Sequence, residues 1–237
     1  MISTPEFLED GLVLPLDKPY GWSSFDAIRF VQRSIQKKFG IKKFKIGHAG
    51  TLDPLATGVL VVCLGKATKQ VELLQAEKKE YLVDICLGAT TPSFDLETEP
   101  EQVQDTHHIT FEQIRSALDE MLGEQEQIPP MFSAKIINGK RAYTLARKGQ
   151  VVDIKSNKIN IFEIQILEFN NPHITILVSC SKGTYIRSLA RDLGERLECG
   201  AYLTGLRRTV SGSFNEANLQ SIENYMDFIL NYNADNK

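Results

Sequence analysis

Residues 159–180 read INIFEIQILEFNNPHITILVSC, and this stretch decides the class of fold. Apolar and polar side chains alternate from Ile174 to Cys180, as in a strand with one buried face. The segment Ile159–Phe169 is also strand-like, and its alternation changes phase at Ile161-Phe162, which indicates a bulge. Asn170-Asn171-Pro172 has the composition of a turn. The stretch therefore predicts an antiparallel hairpin, which argues against a doubly wound parallel sheet.

Strands and helices interleave on both sides of this hairpin. Val59–Leu64 is wholly apolar and Tyr81–Leu87 alternates, so both are predicted strands. Three helices are predicted, the first opened by Ser23-Ser24 and closed by Gly40, the second opened by Thr110 with Gln113 and stopped at Gly123, and the third running from Ile186 to Leu197 before Gly200. We expect an α/β fold of the α+β type over residues 1–237, a single domain with a largely antiparallel sheet flanked by helices and a small excursion around residues 90–150.

Charge is segregated along the chain. The 237 residues carry 27 lysines and arginines against 30 acids, a net charge of −3. Residues 33–48 hold six basic residues and no acid, and residues 131–158 hold seven basic residues and one acid, whereas residues 95–126 hold ten acids and one arginine. Such a chain can present a positive face to a polyanion despite its acidic total. From the charge distribution alone, the alternative is that these basic residues lie on ordinary solvent-exposed faces of helices and loops.

Composition and motifs remove several classes of function. No apolar run approaches the ~18 residues of a membrane span, and the first residues lack the regions of a signal peptide, so we expect a cytoplasmic protein. The four cysteines form no C-x-x-C pair and the four histidines no H-x-x-x-H pair, so no metal is expected. Signatures of nucleotide-binding loops, zinc proteases and serine hydrolases are absent as well. An enzyme of this sequence would work with its own side chains, without a cofactor.

The first candidate site is the segment GHAGTLDPLATG at residues 47–58. Its glycines allow tight turns, while Pro54 fixes its own φ and pushes Asp53 toward an extended conformation. The segment thus presents one carboxylate on a stiff loop, with His48 five residues earlier. An ordinary Asp-Pro turn, in which Asp53 accepts from backbone N–H groups, is the alternative.

The second candidate site is the segment CSKGTYIRSL at residues 180–189, which runs from a strand through a glycine turn into a helix. Arg187 falls in the first helical turn, where the helix dipole disfavours a cation unless an anion is near. It lies off the apolar stripe, so it could point outward to a carboxylate such as Asp53, to a phosphate, or to an acid of its own helix. Tyr81, which shares a strand face with apolar residues, is more typical of a core tyrosine. Leu206–Thr209 reads by itself as a basic surface turn.

Six motifs together resemble the TruB family, the bacterial tRNA pseudouridine-55 synthases. The matches follow the family's order from about residue 13 to residue 214 and cover most of the chain. They are DKPYGWS at 17–23, GHAGTLDPLATGVL at 47–60, GKATK at 65–69, PPMFSA at 129–134, CSKGTYIRSL at 180–189 and LRRT at 206–209.

The resemblance implies a pseudouridine synthase fold and an enzyme that isomerises uridine 55 in the T-loop of tRNA. The family breaks the N1–C1′ glycosidic bond, turns the base and rejoins it through C5, with no cofactor and no metal. The expected partner is tRNA, through its T-arm and elbow, and we expect the chain to act as a monomer. The basic stretches 33–45 and 135–148 would hold the RNA backbone, which makes binding strongly dependent on salt.

The resemblance also implies roles for single residues. Asp53 stands at the position of the nucleophile, which attacks either C1′ or C6. Arg187 matches the arginine that keeps this carboxylate ionised and oriented. Tyr81 matches the tyrosine that stacks on the target base and is a candidate to take the C5 proton, and His48 matches the residue that enters the RNA where the uridine has left. The further expected substrate contacts are Tyr185, Leu206, Asp95 and Lys18.

Two departures from the family pattern stand out. Members commonly show T-D-T-x-D-x-x-G where residues 91–98 read TPSFDLET, so the loop around Asp95 is expected to differ. The few residues after Phe214 leave no room for an RNA-binding PUA-like domain, which we expect to be absent or vestigial.

Two functions of other classes compete with the isomerase. An RNA-binding module that refolds tRNA elbows without catalysis would not need a nucleophile, so the joint presence of Asp53, Tyr81 and Arg187 favours the enzyme. A glycoside hydrolase needs two carboxylates across one bond, and only one acid lies in a candidate site motif.

Overall fold

The hairpin that residues 159–180 predict is present in the computed structural model. Strands Asn157–Asn170 and His173–Cys180 pair antiparallel from Ile161 opposite Cys180 to Asn170 opposite His173. The register shifts after Ile161, which confirms the predicted bulge. A second shift follows Ile166. The apolar pair Ile166-Leu167 is the sequence signal for it, and the prediction missed it.

The structure describes residues 5–133, 135–137, 139–146, 150 and 154–231. Ala134 of the PPMFSA motif and part of the basic stretch 135–148 lie outside the described residues. The chain divides into two compact units. The first is built from the chain up to Glu80 and from Arg207 onward, and the second runs from Tyr81 to Leu206. A single domain over residues 1–237 stays a prediction.

The first unit combines a sheet with helices from both ends of the chain. Its N-terminal part contains α1 (Glu6–Asp10), β1 (Leu12–Lys18), α2 (Ser24–Phe39), β2 (Ile46–His48), β3 (Thr57–Leu64), a 3₁₀ helix (Gly65–Gln70), α3 (Val71–Ala76) and the first residues of β4 (Lys79–Leu87). Its C-terminal part contains the last residues of β10 (Ala201–Ser211), then β11 (Phe214–Asn215), a 3₁₀ helix (Glu216–Asn218), β12 (Gln220–Ser221) and α7 (Ile222–Leu230).

In this unit the strand order is β12-β1-β3-β10, with β2 also on β3 and β11 on β10. β3 is antiparallel to β1 and β2 but parallel to β10, and β1 is parallel to β12. Because β3 has neighbours on both edges and is buried on both faces, its sequence is a continuous apolar run. Val59 and Val61 of β3 form a core with Ala49, against which Val13, Leu74, Phe214 and Leu219 pack.

The second unit is built around the hairpin. Besides most of β4 and of β10 it contains α4 (Phe111–Asp119), β5 (Gly123–Gln127), β6 (Ile136–Ile137), β7 (Lys140–Arg141), α5 (Ala142–Ala146), β8 (Asn157–Asn170), β9 (His173–Cys180) and α6 (Ile186–Arg196). The strand order is β10-β4-β9-β8-β5, and β6 and β7 form a separate ribbon. The pairs β5–β8, β8–β9 and β6–β7 are antiparallel. The predicted mixed fold with a largely antiparallel sheet is therefore confirmed.

Helix α2 begins and ends where the sequence predicts. Ser23 caps it by accepting from the Asp26 N–H at 3.1 Å, and the Asp26 carboxylate accepts from the Ser23 N–H in return. Gly40 follows its last residue with a φ of +63°, a left-handed conformation that suits glycine. Helix α6 also keeps its predicted start, and it ends one residue early, at Arg196.

Helix α4 has the predicted capping box, formed by Thr110 and Gln113, but its predicted end is wrong. It stops at Asp119 instead of continuing to Gly123. Beyond it the Met121 N–H donates to the Leu118 carbonyl at 3.1 Å, a tighter turn than the helix. This turn keeps Met121 in the core although it lies outside the helix.

No disulfide joins the four cysteines, all of which lie within the described residues, and Cys63, Cys180 and Cys199 are buried. These three occupy the core as small hydrophobic residues, as predicted, and Cys86 is half buried.

Candidate active site

The loop that carries Asp53 connects two antiparallel strands of the first unit. Residues 49–56 leave β2 after His48 and return into β3 at Thr57. Inside the loop the Ala56 N–H donates to the Asp53 carbonyl at 3.1 Å and closes a turn around Pro54. The Asp53 side chain is half buried at this turn. The stiff loop with one carboxylate that the sequence predicts is therefore present.

Lys18 holds this loop in place through hydrogen bonds from a buried position. It is fully buried, and its ammonium donates to the carbonyls of Pro19 at 3.0 Å, Trp22 at 2.5 Å and Pro54 at 3.3 Å. Burial lowers the pKa of Lys18 to about 8, an effect that the Asp53 carboxylate opposes and the Arg208 charge reinforces. Lys18 is a predicted substrate contact, and in the structure its ammonium is engaged in positioning the loop.

Helix α2 supplies a further set of contacts to the same loop. The Ser24 hydroxyl donates to the Leu52 carbonyl at 3.0 Å and accepts from the Leu52 N–H at 2.8 Å. The Gly21 N–H donates to the Pro54 carbonyl at 2.9 Å. The backbone groups on both sides of Asp53 are thereby fixed by hydrogen bonds, which restricts where its carboxylate can be.

Arg208 joins the two ends of the loop. Its side chain is 1% exposed, and it donates to the Val59 carbonyl through Nε at 2.7 Å and to the Gly50 carbonyl through Nη2 at 3.0 Å. Its backbone crosses Gly58 so closely that a Cβ at Gly58 would lie 2.2 Å from the Arg208 carbonyl oxygen. The interpretation of Leu206–Thr209 as a basic surface turn is therefore wrong, because these residues belong to β10 and Arg208 is buried.

Sequence reasoning missed the role of Arg208 because nothing local marks it. Its contact with the loop depends on the parallel pairing of β10 with β3, which places Arg208 beside Gly58. The LRRT motif signals that the position belongs to the family, but it does not distinguish the buried Arg208 from Arg207. The Arg207 guanidinium instead lies at the surface, where it donates to both carboxylate oxygens of Asp17 at 3.0 Å.

His48 is half buried at the end of β2, just before the loop. Burial lowers the pKa of His48, and the positive charge of Arg208 lowers it further, against a hydrogen bond from the imidazole to the Gly50 backbone that raises it. The imidazole is therefore neutral at neutral pH. A neutral ring can be inserted between bases without carrying a charge into the stack.

In the second unit, Arg187 lies in the first turn of α6 and is buried, with 3% of its surface exposed. The prediction that it points outward is wrong. Its guanidinium donates to the carbonyls of Ser93 at 3.1 Å and Phe132 at 2.8 Å, and Nε lies 3.6 Å from Oδ2 of Asp95. The acid described beside Arg187 is thus Asp95. The pairing of Arg187 with Asp53, which belongs to the other unit, stays a prediction.

The loop around Asp95 is closely tied by its own hydrogen bonds. Thr91 and Ser93 donate through their hydroxyls to the Asp95 carbonyl, at 2.8 and 3.2 Å. The Glu97 N–H donates to the Asp95 carboxylate at 2.9 Å. Asp95 is only 6% exposed. Its carboxylate lies between the Glu97 N–H and the Arg187 guanidinium. A contact of Asp95 with substrate stays a prediction.

The remaining predicted site residues of the second unit lie on three elements. Tyr81 is in β4 and is buried on the same face as Val83, Ile85 and Leu87, as its alternation predicts. Tyr185 is half buried at the N-cap of α6, and Leu206 is half buried in β10. Their contacts with substrate stay predictions.

Gln127 positions the start of α6, and sequence reasoning missed it. It is 2% exposed, accepts from the Tyr185 N–H at 2.8 Å and donates to the Tyr185 carbonyl at 3.1 Å. Next to it the Ser188 hydroxyl donates to the Ile128 carbonyl at 2.8 Å. A glutamine in a polar strand gives no sequence signal for such a contact, which spans 58 positions of the chain.

The described part of the chain lacks both a metal-binding cluster and a membrane-spanning helix. Among the residues 5–133, 135–137, 139–146, 150 and 154–231, no group of three or more His, Cys, Asp or Glu side chains could hold a metal ion. No helix within the same ranges is long and apolar enough to cross a membrane.

Comparison with known families identifies the chain. Residues 36–186 match the family model of the TruB family pseudouridylate synthase N-terminal domain, and residues 187–237 match that of the tRNA pseudouridylate synthase B C-terminal domain. The chain belongs to the TruB family. The resemblance seen in the six sequence motifs is thus confirmed.

Individual relatives of this TruB-family chain agree. It is 52% identical over 221 residues to tRNA pseudouridine synthase B of Phocaeicola vulgatus, an alignment that covers 93% of this chain and 94% of the relative. It is 54% identical over 204 residues to the protein of that name from Bacteroides fragilis, with 86% and 88% covered. This degree of identity over nearly whole chains leaves the family assignment secure.

Solved structures support the fold of the TruB-family chain. A Cbf5–Nop10–Gar1 complex contains a chain with a TM-score of 0.71 and 28% identity, and an H/ACA ribonucleoprotein bound to a substrate RNA containing 2′-deoxyuridine contains one with 0.68 and 27%. Each alignment covers 94% of this chain but only 55% and 54% of the other. The chain therefore spans about half the length of these structural relatives.

Proposed function

We propose that this TruB-family chain converts uridine 55 in the T-loop of tRNA to pseudouridine, with Asp53 as the nucleophile. The observation that carries the proposal is a half-buried carboxylate on a loop that the buried Lys18 and Arg208 hold at three carbonyls. A catalytic group fixed in this way needs little reorganisation when the substrate reacts.

The reaction conserves atoms and uses no cofactor. If Asp53 attacks C1′, an ester bond forms as the N1–C1′ bond breaks, the base turns, and C5 displaces the carboxylate from C1′ as the C5–C1′ bond forms. If Asp53 adds to C6 instead, the N1–C1′ bond breaks in the adduct, the base turns, the C5–C1′ bond forms, and the bond between Asp53 and C6 then breaks. The proton on C5 is then lost, and N1 gains a proton in its place. We propose that Tyr81 stacks on the base and takes the C5 proton, and that Arg187 supports the ionised Asp53 during the attack.

The target base must first leave the folded RNA loop, at a cost on the order of a few kcal/mol. An aromatic ring recovers roughly 1–3 kcal/mol of it by stacking. We propose that the neutral His48 fills the gap in the RNA and that Tyr185, Leu206 and Asp95 contact the extruded nucleotide. The Lys18 ammonium donates to three carbonyls, so Lys18 acts on the substrate indirectly, by positioning the Asp53 loop.

The proposed partner is tRNA, bound through its T-arm and elbow by a monomer in the cytoplasm. The basic stretches 33–45 and 135–148 would neutralise its phosphates. Binding that depends on several phosphate contacts weakens steeply with salt.

Mapping of pseudouridine on an unmodified tRNA transcript tests the proposed function. We expect modification at position 55 after incubation with the wild type, and none on a matched transcript with cytidine at that position. Modification at another uridine, or of both transcripts alike, would contradict the proposed specificity.

A further inference from the structure

The outer face of α2 forms a groove outside the candidate active site, and two of its cations, Arg33 and Lys37, belong to the basic stretch 33–45. The α2 groove, with a volume of about 640 Å³, is lined by Trp22, Asp26, Arg29, Phe30, Arg33 and Lys37. Three of these six side chains are cations, two are aromatic and one is acidic. All of them belong to the first unit.

Helical periodicity explains why the cations share one face. Ala27, Val31 and Ile35 are buried and fix the inner side of α2, so Arg29, Arg33 and Lys37 follow one another on the exposed side. Each is four residues from the next, or about 6 Å along the helix axis. Such a row of positive charges matches the repeated negative charges of a nucleic-acid strand.

The acid in the α2 groove is already occupied. The Asp26 carboxylate accepts from the backbone N–H of Ser23 at 3.1 Å and from the Ser23 hydroxyl at 2.5 Å, as part of the capping box. It lies at the N-terminal end of the helix, away from Arg33 and Lys37. The charge of the groove beyond the first turn is therefore wholly positive.

Aromatic rings lie between the cations. Trp22 contacts Phe30 edge to face, with ring centroids 5.5 Å apart, and Phe30 is 37% exposed. The Arg29 guanidinium lies 5.3 Å from the centroid of Phe25, which is 61% exposed. Exposed aromatic rings among cations are the side chains that bind single-stranded nucleic acid by stacking and charge.

The α2 groove is continuous with the Asp53 loop. The Trp22 carbonyl and the Pro54 carbonyl both accept from the Lys18 ammonium, and the Gly21 N–H donates to the same Pro54 carbonyl. One end of the groove therefore lies next to the residue that follows Asp53. From there the 16 residues of α2 lead away over about 24 Å.

We propose that the α2 groove binds the RNA strand that flanks the target uridine, with Arg29, Arg33 and Lys37 on its phosphates and Phe30 against a base or ribose. This inference rests on the proposed function, since it takes Asp53 as the point where the target nucleotide is held. It adds a second contact region for the RNA. Because this region extends away from the Asp53 loop, substitutions in it should change tRNA binding more than the chemical step.

The test removes the three charges together. Arg29→Gln/Arg33→Gln/Lys37→Gln keeps residues that favour helix, and all three side chains are exposed, so α2 should fold. We expect KM for unmodified tRNA to rise on the order of tenfold, kcat to change less than about twofold, and the slope of log KM against log salt to fall by about 2.

A matched control removes three exposed charges elsewhere, by Lys78→Gln/Arg115→Gln/Arg196→Gln. It should keep the wild-type KM and salt slope. Phe30→Leu retains an apolar contact with Trp22 but loses the ring, so KM should rise several-fold with an unchanged salt slope.

The outcomes are distinct. A wild-type salt slope in the α2 triple variant, an equal loss in the control, or a loss confined to kcat would overturn the inference. Direct binding of a fluorescent tRNA, followed by anisotropy, gives the same comparison without turnover. If the wild type binds tRNA but makes no pseudouridine, the proposed function fails while this arm still decides whether the α2 groove binds RNA.

Discussion

At the scale of single residues, the Asp53 loop depends on two cations that are removed from water. Burying a charge is costly unless hydrogen bonds replace its hydration, and a loop carbonyl without a partner is costly as well. Lys18 and Arg208 meet both needs at once, since each donates to carbonyls of the loop or of its flanks. Removing either cation should therefore affect both stability and the placement of Asp53.

Arg208→Lys tests the tie between the loop ends. A lysine cannot donate to the Gly50 and Val59 carbonyls with the fork geometry of a guanidinium. We expect urea denaturation to show a loss of about 2–4 kcal/mol in the free energy of unfolding, because buried hydrogen bonds to a charged group are lost. We also expect kcat to fall on the order of 10–100-fold, because the loop is less well placed.

Arg207→Lys is the matched control one position earlier. The Arg207 side chain is 32% exposed, and its partners Asp17 and Glu216 are 36% and 45% exposed. Ion pairs of this kind contribute about 1 kcal/mol or less. Equal losses of unfolding free energy in Arg208→Lys and Arg207→Lys would show that the Arg208 contacts contribute no more to stability than a surface ion pair.

Lys18 gives a prediction about pH. Its pKa is lowered from 10.5 to about 8, chiefly by burial. Between these values the unfolded chain binds more protons at this residue than the folded chain does, so the contribution of Lys18 to the free energy of unfolding rises with pH. Below about 8 the charged form persists in both states, and the burial penalty applies in full.

The measurement is the free energy of unfolding of the wild type minus that of Lys18→Met, from urea denaturation at several pH values. The difference removes other groups that titrate in the same range. It should increase between pH 8 and 10.5. A constant or decreasing difference would mean that the pKa of Lys18 is not lowered in the folded state.

At the scale of elements, the start of α6 is fixed by Gln127 on β5. Gln127→Leu removes the side-chain acceptor of the Tyr185 N–H and one of the donors to the Tyr185 carbonyl, which still accepts from the Leu189 N–H. We expect a loss of about 2–3 kcal/mol in the free energy of unfolding and a lower kcat, since Arg187 follows two residues later. Gln125→Leu on the same strand, which loses one bond to the Met121 carbonyl, is the control and should lose about 1 kcal/mol. If the two losses were equal, the role of Gln127 in positioning α6 would be rejected.

Elements with local signals could be predicted from the sequence. Capping residues mark the starts of α2 and α4, and the turn at Asn170-Asn171-Pro172 marks the hairpin, because each depends on neighbours in the chain. The end of α4 could not be predicted in the same way. Met121 continues the apolar spacing of the helix, yet it is buried from a tight turn beyond the last helical residue.

At the scale of the whole molecule, the motifs predict which residues form the site but not what surrounds them. Arg187 is a predicted site residue, and the carbonyls of Ser93 and Phe132 that it contacts come from distant positions of the chain. Arg208 looked like a surface cation because strand pairing is not visible in one sequence. The basic stretch 33–45 can be recognised in the sequence. That Arg33 shares one groove with Arg29 and Phe30 can be recognised only when α2 is folded.

The central claim is that Asp53 is the nucleophile of a uridine isomerase. Tritium release from tRNA labelled at uridine C5 tests it most directly, with the wild type, Asp53→Asn and the control Asp119→Asn, an exposed acid of α4, side by side. We expect release from the wild type and Asp119→Asn, and none from Asp53→Asn, which should still bind tRNA with near wild-type affinity. Release by Asp53→Asn, or loss of tRNA binding equal to its loss of turnover, would contradict the account.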